Sequence, residues 1–108
     1  MSTFDDKKNA SETRFVMEEA KEFKSEAKRN KALGEWAAAL MGIEGDAVEK
    51  YALSVIVADM EEDGDDDVFR KLRKDLDAAG VDMSDSALRE KMAECLAAAR
   101  EEVYGLKA

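Results

Sequence analysis

Any chemistry in this sequence has to come from carboxylates, amines and one thiol, because its 108 residues include no histidine. That removes the commonest general base and the commonest metal ligand together, and with them Ser-His and Cys-His nucleophile systems. Cys95 is the single cysteine. It rules out an internal disulfide, suits a reducing compartment, and falls far short of a zinc ligand set. Gly42-Ile43-Glu44-Gly45 is too short for a dinucleotide fingerprint, and no Gly-Lys-Ser/Thr motif occurs to cradle phosphate.

The acids between Asp59 and Asp67 come closest to a site. In the stretch Asp59 to Arg70, acids fall at positions 1, 3 and 5 of a calcium loop and Gly64 at position 6. Position 12 is Arg70 instead of a bidentate Glu, and position 8, normally apolar, is Asp66. The stretch therefore reads as a helix end followed by the acidic start of the next helix, attracting cations only weakly. Nothing marks any other carboxylate pair as buried or convergent. The basic cluster Lys28-Arg29-Asn30-Lys31 offers Lys28, Arg29 and Lys31 as a nucleotide or docking surface, against the reading of a solvated helical face on which the side chains diverge. No catalytic residue, metal or cofactor is expected, and the chain reads as a binding protein without an enzymatic site.

Four helices must carry these groups. Hydrophobic residues make up 45% and charged residues 40%, with no proline and six glycines, a composition that favours long helices with a densely charged surface. Between Glu12 and Met41 the positions Val16, Ala20, Phe23, Ala27, Asn30, Gly34, Ala37 and Met41 recur in steps of four and three, marking one helical face. Leu33, Trp36 and Leu40 broaden that face. Asn30 and Gly34 stand out on it, since a buried Asn needs partners and a Gly lets helices approach closely.

After a Gly42–Gly45 loop, Asp46 reads as the cap of a second helix carrying Val48, Tyr51, Ala52, Val55, Ile56 and Met60. Leu53 and Val57 make it apolar around much of its circumference, so it is expected to be the most buried element. Asp65-Asp66-Asp67 opens a third helix with Val68, Phe69, Leu72, Leu76 and Ala79 inside. Ser84 caps a fourth, with Leu88, Met92, Cys95, Leu96, Ala99 and Val103 inside. The fold class expected is all-α, a four-helix bundle spanning 19–108. Residues 1–18 hold few large apolar groups and are expected to form a mobile arm, loosely ordered in the free protein.

Charge separates the same two parts. Net charge is −9, which disfavours nucleic acid and anionic lipid as partners. Residues 1–31 hold 8 basic and 7 acidic groups, so the remaining 77 hold 9 and 19. The N-terminal segment is near neutral and the body strongly acidic. The first residues lack the order of a signal peptide, and no apolar run approaches the ~18 residues that span a bilayer.

The stretch Phe23-Lys24-Ser25-Glu26-Ala27-Lys28-Arg29-Asn30-Lys31-Ala32-Leu33-Gly34-Glu35-Trp36-Ala37-Ala38 resembles the signature of the zeta subunit of the alphaproteobacterial F-type ATP synthase. Thr3-Phe4-Asp5-Asp6-Lys7-Lys8, Val68-Phe69-Arg70-Lys71-Leu72 and Met92-Ala93-Glu94-Cys95-Leu96 are similar to the family in order and spacing, so the likeness runs over essentially the whole length. The resemblance implies a non-enzymatic regulatory subunit. Its N-terminal segment would insert as a helix into a catalytic interface of the ATPase head and stop ATP hydrolysis.

The implied partners are the alpha, beta and gamma subunits of that head. Phe4 and Phe15 would be the apolar anchors, and Asp5, Asp6, Lys7, Lys8 and Arg14 the polar contacts. The implied place is the cytoplasm, at the inner membrane through the ATP synthase, with a monomer when free. Where family members carry an Arg-Glu-Arg-type run and a bulky residue near position 11, this chain has Lys7-Lys8-Asn9 and Ser11, which lowers the inhibition expected. The alternative is a small helical-bundle sensor that binds ADP or ATP through Lys28, Arg29 and Lys31.

Overall fold

The computed structural model describes the backbone of residues 3–60 and 64–105 and the side chains of residues 19–60 and 64–105. These form four helices, α1 (Thr3–Leu40), α2 (Asp46–Ala58), α3 (Asp66–Ala78) and α4 (Asp85–Tyr104), with no strand among the described residues. The expected order of residues 1–18, and all the side-chain roles assigned within them, concern groups outside the described side chains.

Helix α1 is the spine, and α2 and α4 pack along it, with α3 closing the far end. The core is built from Leu33 and Ala37 of α1, Val55 of α2, Val68, Leu72 and Leu76 of α3, and Leu88 and Met92 of α4. Six of these are branched aliphatics with no accessible surface, each contributing about 1.5–3 kcal/mol by burial. Trp36, Tyr51, Phe69, Met83 and Cys95 pack around this centre, half-buried.

Glycine sets the helix ends where the chain must turn sharply. At Gly80 (φ +75°) the backbone turns left-handed, the Gly80 N–H donates to the Asp77 carbonyl at 3.0 Å, and the Val81 N–H donates to the Leu76 carbonyl at 2.9 Å. That pair of bonds satisfies carbonyls left open by the last turn of α3. Ser84 then caps α4 as the sequence predicts, its Oγ accepting from the Ala87 N–H at 3.1 Å.

Several local expectations need correction. Asp46 is the first residue of α2 and not its cap; Gly45 holds that place without a side-chain bond. Helix α2 is not the most buried element, since only Ala52 and Val55 are buried whereas α3 buries four residues. Leu53, Val57 and Met60 face solvent, because α2 lies on the outside of the spine. The inner face of α1 also rotates along its length. Phe23 is 62% exposed and Ala20 is exposed, while Ser25, Arg29 and Asn30 are buried. The apolar repeat continues from residue 16 to 41, yet toward its start the protein turns polar side chains inward. Leu40 and Ala79 are exposed as well.

Candidate functional site

The polar groups turned inward on α1 lie where the helix leaves the bundle. Asn30, on the face aimed at α2, donates from Nδ2 to Asp59 Oδ2 at 2.9 Å. Arg29, only 3% exposed, donates from Nη2 to Asp59 Oδ1 at 3.3 Å and from Nε to Asn30 Oδ1 at 3.0 Å. Asp59 follows the last turn of α2, so its largely buried ion pair with Arg29 ties the end of α2 to the middle of α1. Removing one partner of such a pair strands the other charge, a loss of about 3–5 kcal/mol.

On the α4 side a second set of bonds grips the same stretch. Arg100 donates from Nε to Glu22 Oε1 at 3.1 Å, and the Tyr104 hydroxyl donates to Glu22 Oε2 at 3.1 Å. Lys28 Nζ pairs with Glu102 at 2.8 Å, and Lys21 Nζ lies 5.7 Å from the centre of the Tyr104 ring. Ser25, fully buried, turns its hydroxyl back to the Lys21 carbonyl at 2.9 Å. Glu19 and Ala20 are exposed. Residues 21–30 of α1 are therefore clasped between the C-terminal ends of α2 and α4.

Electrostatics follow this geometry. The hydrogen bond from Arg100, aided by Tyr104, holds the Glu22 carboxyl below the usual carboxylate range despite partial burial. The hydrogen bond from Lys28 does the same for Glu102. Glu26 moves the other way, pushed up first by burial and then by the neighbouring Asp59. Burial raises the Cys95 thiol. Among the described residues no three metal-ligating side chains converge, and Asp59, which would open the calcium-like loop, already accepts from Arg29 and Asn30.

The residues singled out from sequence separate into distinct places. Lys28 is held by Glu102 and Arg29 is buried against Asp59. Lys31 is exposed and borders a shallow apolar groove with Leu53 and Ile56. The three cations do not converge. Phe4, Asp5, Asp6, Lys7, Lys8, Arg14 and Phe15 lie outside the described side chains, on the helical backbone that continues from the clasp to Thr3. Sequence reasoning missed Glu22 and Arg100, and it placed Asp59 only at the start of an acidic stretch. A signal for Glu22 existed in the spacing Glu22, Glu26, Arg29, Leu33, a second helical stripe in which charges replace apolar residues over two turns.

The family model described as ATPase inhibitor subunit zeta matches residues 1–102. No curated protein matches. A structure determined by solution NMR superposes with a TM-score of 0.67 at 38% sequence identity, covering 77% of this chain and 94% of its own.

Proposed function

The chain belongs to the ATPase inhibitor subunit zeta family, and on that premise we propose that it stops ATP hydrolysis by the F-type ATP synthase through residues 1–18. In this reading those residues enter, as a helix, a catalytic interface made by the alpha, beta and gamma subunits. The body from residue 19 onward is the handle. The protein is a monomer when free and joins the synthase at the cytoplasmic face of the inner membrane. Among the described residues no helix is long and apolar enough to cross a membrane.

The observation that carries the proposal is the continuity of α1. Its helical backbone runs from Thr3 to Leu40, while the clasp of Glu22 with Arg100 and Tyr104 grips it from residue 21 onward. A helix held at one end by one largely buried ion pair, Arg29–Asp59, and by surface pairs to α4 transmits its position to the segment ahead of it. That segment is near neutral, whereas the body is strongly acidic, so it is the part suited to enter a protein cleft. Phe4 and Phe15 supply apolar anchors, and Asp5, Asp6, Lys7, Lys8 and Arg14 supply polar contacts.

Lys7 and Lys8 offer point charges in place of the forked guanidinium groups common in the family, which weakens any bidentate contact by about 1–3 kcal/mol. The test is an ATP hydrolysis assay on the purified ATPase head with Phe4→Ala and Phe15→Ala variants. Each should weaken inhibition by about ten-fold or more, the scale of a lost apolar anchor. Unchanged inhibition by both would rule out the anchor assignment.

A further inference from the structure

We infer that the exposed apolar face shared by α1 and α2 is a second docking surface, which seats an apolar helix stripe on the rim of the catalytic interface that residues 1–18 enter. Helix α2 carries Leu53, Ile56, Val57 and Met60 at positions i, i+3, i+4 and i+7, so the four share one stripe. Ile56 is half-buried, whereas Leu53, Val57 and Met60 are each more than half exposed. Phe23 of α1 is as exposed as they are and borders one pocket with Ile56 and Met60.

Ala27, one turn beyond Phe23, borders the same pocket. Lys31, a further turn on, borders a groove of about 450 Å³ with Leu53 and Ile56. The row Phe23, Ala27, Lys31 on α1 and the row Leu53, Ile56, Met60 on α2 therefore flank a shallow apolar channel about two turns long. A single exposed leucine is ordinary. Four large apolar side chains gathered on one face present on the order of 400 Å², a size at which a patch is often a binding site.

Size and place together select the occupant. A stable dimer buries about 800 Å² of each partner, roughly twice what this face offers, so the face alone does not hold a second copy. It suits a contact added to an interface that is held elsewhere. Helix α1 leads to that interface, since its backbone is continuous from Thr3 to Leu40. Phe23 stands five residues beyond residue 18, about 7.5 Å along the helix axis. The bonds from Arg29 and Asn30 to Asp59, the neighbour of Met60, fix α2 against this stretch of α1. A head that takes up residues 1–18 brings the mouth of its cleft against Phe23 and the outer stripe of α2.

The contact is apolar rather than ionic. Around the groove Lys31 and Lys50 are balanced by Asp46 and Glu49, so neither sign of charge is selected. A two-turn channel between two helices accepts aliphatic side chains of a third helix at i, i+3 or i+4, and i+7.

The docking surface rests on the reading that the chain acts on the ATPase head, and its test uses that complex. The unaltered full chain, free and bound to the purified head, is oxidised by hydroxyl radicals and mapped by mass spectrometry. Oxidation of Leu53 and Met60 should fall several-fold on binding. Leu40, exposed half a turn around α1 from Lys31, should react as before. The double variant Leu53→Gln/Met60→Gln alters exposed side chains only and should bind the head about ten-fold more weakly. That difference should persist in high salt, as an apolar contact requires, and saturating amounts of the variant should still stop hydrolysis. A Leu40→Gln control should bind as the unaltered chain does.

Unprotected Leu53 and Met60 in the complex, or undiminished binding by the double variant, removes the docking surface and leaves the role of residues 1–18 intact. Failure of the unaltered chain to bind the head removes both. Dimerisation of the free chain that Leu53→Gln/Met60→Gln abolishes would assign the face to a second copy and overturn the inference.

Discussion

Gly34 of α1 faces Ala52 of α2 so closely that a Cβ added to the glycine would lie 2.5 Å from the Ala52 Cα and 2.9 Å from its Cβ. The obstacle is backbone, so neither helix relieves it by a rotamer change. Gly34→Ala removes a mid-helix glycine, worth about 0.5–1 kcal/mol in the helix's favour, but it forces the helices apart at a cost of about 1–3 kcal/mol. The expected net effect is destabilisation of up to about 2 kcal/mol, read as a melting temperature lower by up to roughly 15 °C in a thermal scan.

The Arg29–Asp59 pair predicts a coupled energy. Asp59→Ala should destabilise by about 3–5 kcal/mol, because Arg29 is left buried without its counter-ion. Replacing both groups, as in Arg29→Met/Asp59→Leu, should recover most of that loss. A double-mutant cycle by urea denaturation measures it, and simple additivity would show that the two groups act independently.

Stability against pH should bend because the clasp carboxylates shift in opposite directions. Glu22 and Glu102 have folded-state values below 4.5. Their contribution is therefore present above that value and lost as pH falls through the lowered range. Glu26 has a folded-state value above 4.5, so its charged form is unfavourable in the fold and the penalty is relieved as pH falls toward 4.5. Arg29, Arg100 and Asp59 face the same cluster. Chemical denaturation across pH 3–7 should give a shallow rise in stability on acidification and then a fall below about 4.5. Glu26→Gln should flatten the rise, and Glu22→Gln should reduce the fall.

Cys95 is half-buried beside Lys91 and Glu94 with its thiol raised by burial. Alkylation by iodoacetamide at neutral pH should be slower than for an exposed cysteine, with its rate rising at a pH above the ordinary thiol range of about 8.5. Met92→Ala, which opens the core on the same helix, should accelerate it.

Helix number, the Ser84 cap, the Gly80 turn and the need for partners at Asn30 were all legible in the sequence, because each depends on residues within one or two turns of one another. The burial of α2 was not. Leu53, Val57 and Met60 give it an apolar outer surface, and periodicity alone cannot tell a surface awaiting a partner from a core. The clasp was also hidden, since Glu22 and Arg100 stand 78 residues apart and only the packing of α4 on α1 joins them. Arg29 and Lys28 are adjacent in a basic run, yet one is buried and the other paired on the surface, a difference of one 100° step around α1.

In the proposed mechanism residues 1–18 are the effector and the remainder is the support. The most direct measurement compares the full chain with a variant lacking residues 1–18 in an ATP hydrolysis assay on the purified ATPase head, with circular dichroism recorded on both proteins. The truncated protein should keep its helical signal and cooperative melting but no longer inhibit. Equal inhibition by the truncated, folded protein would contradict the mechanism.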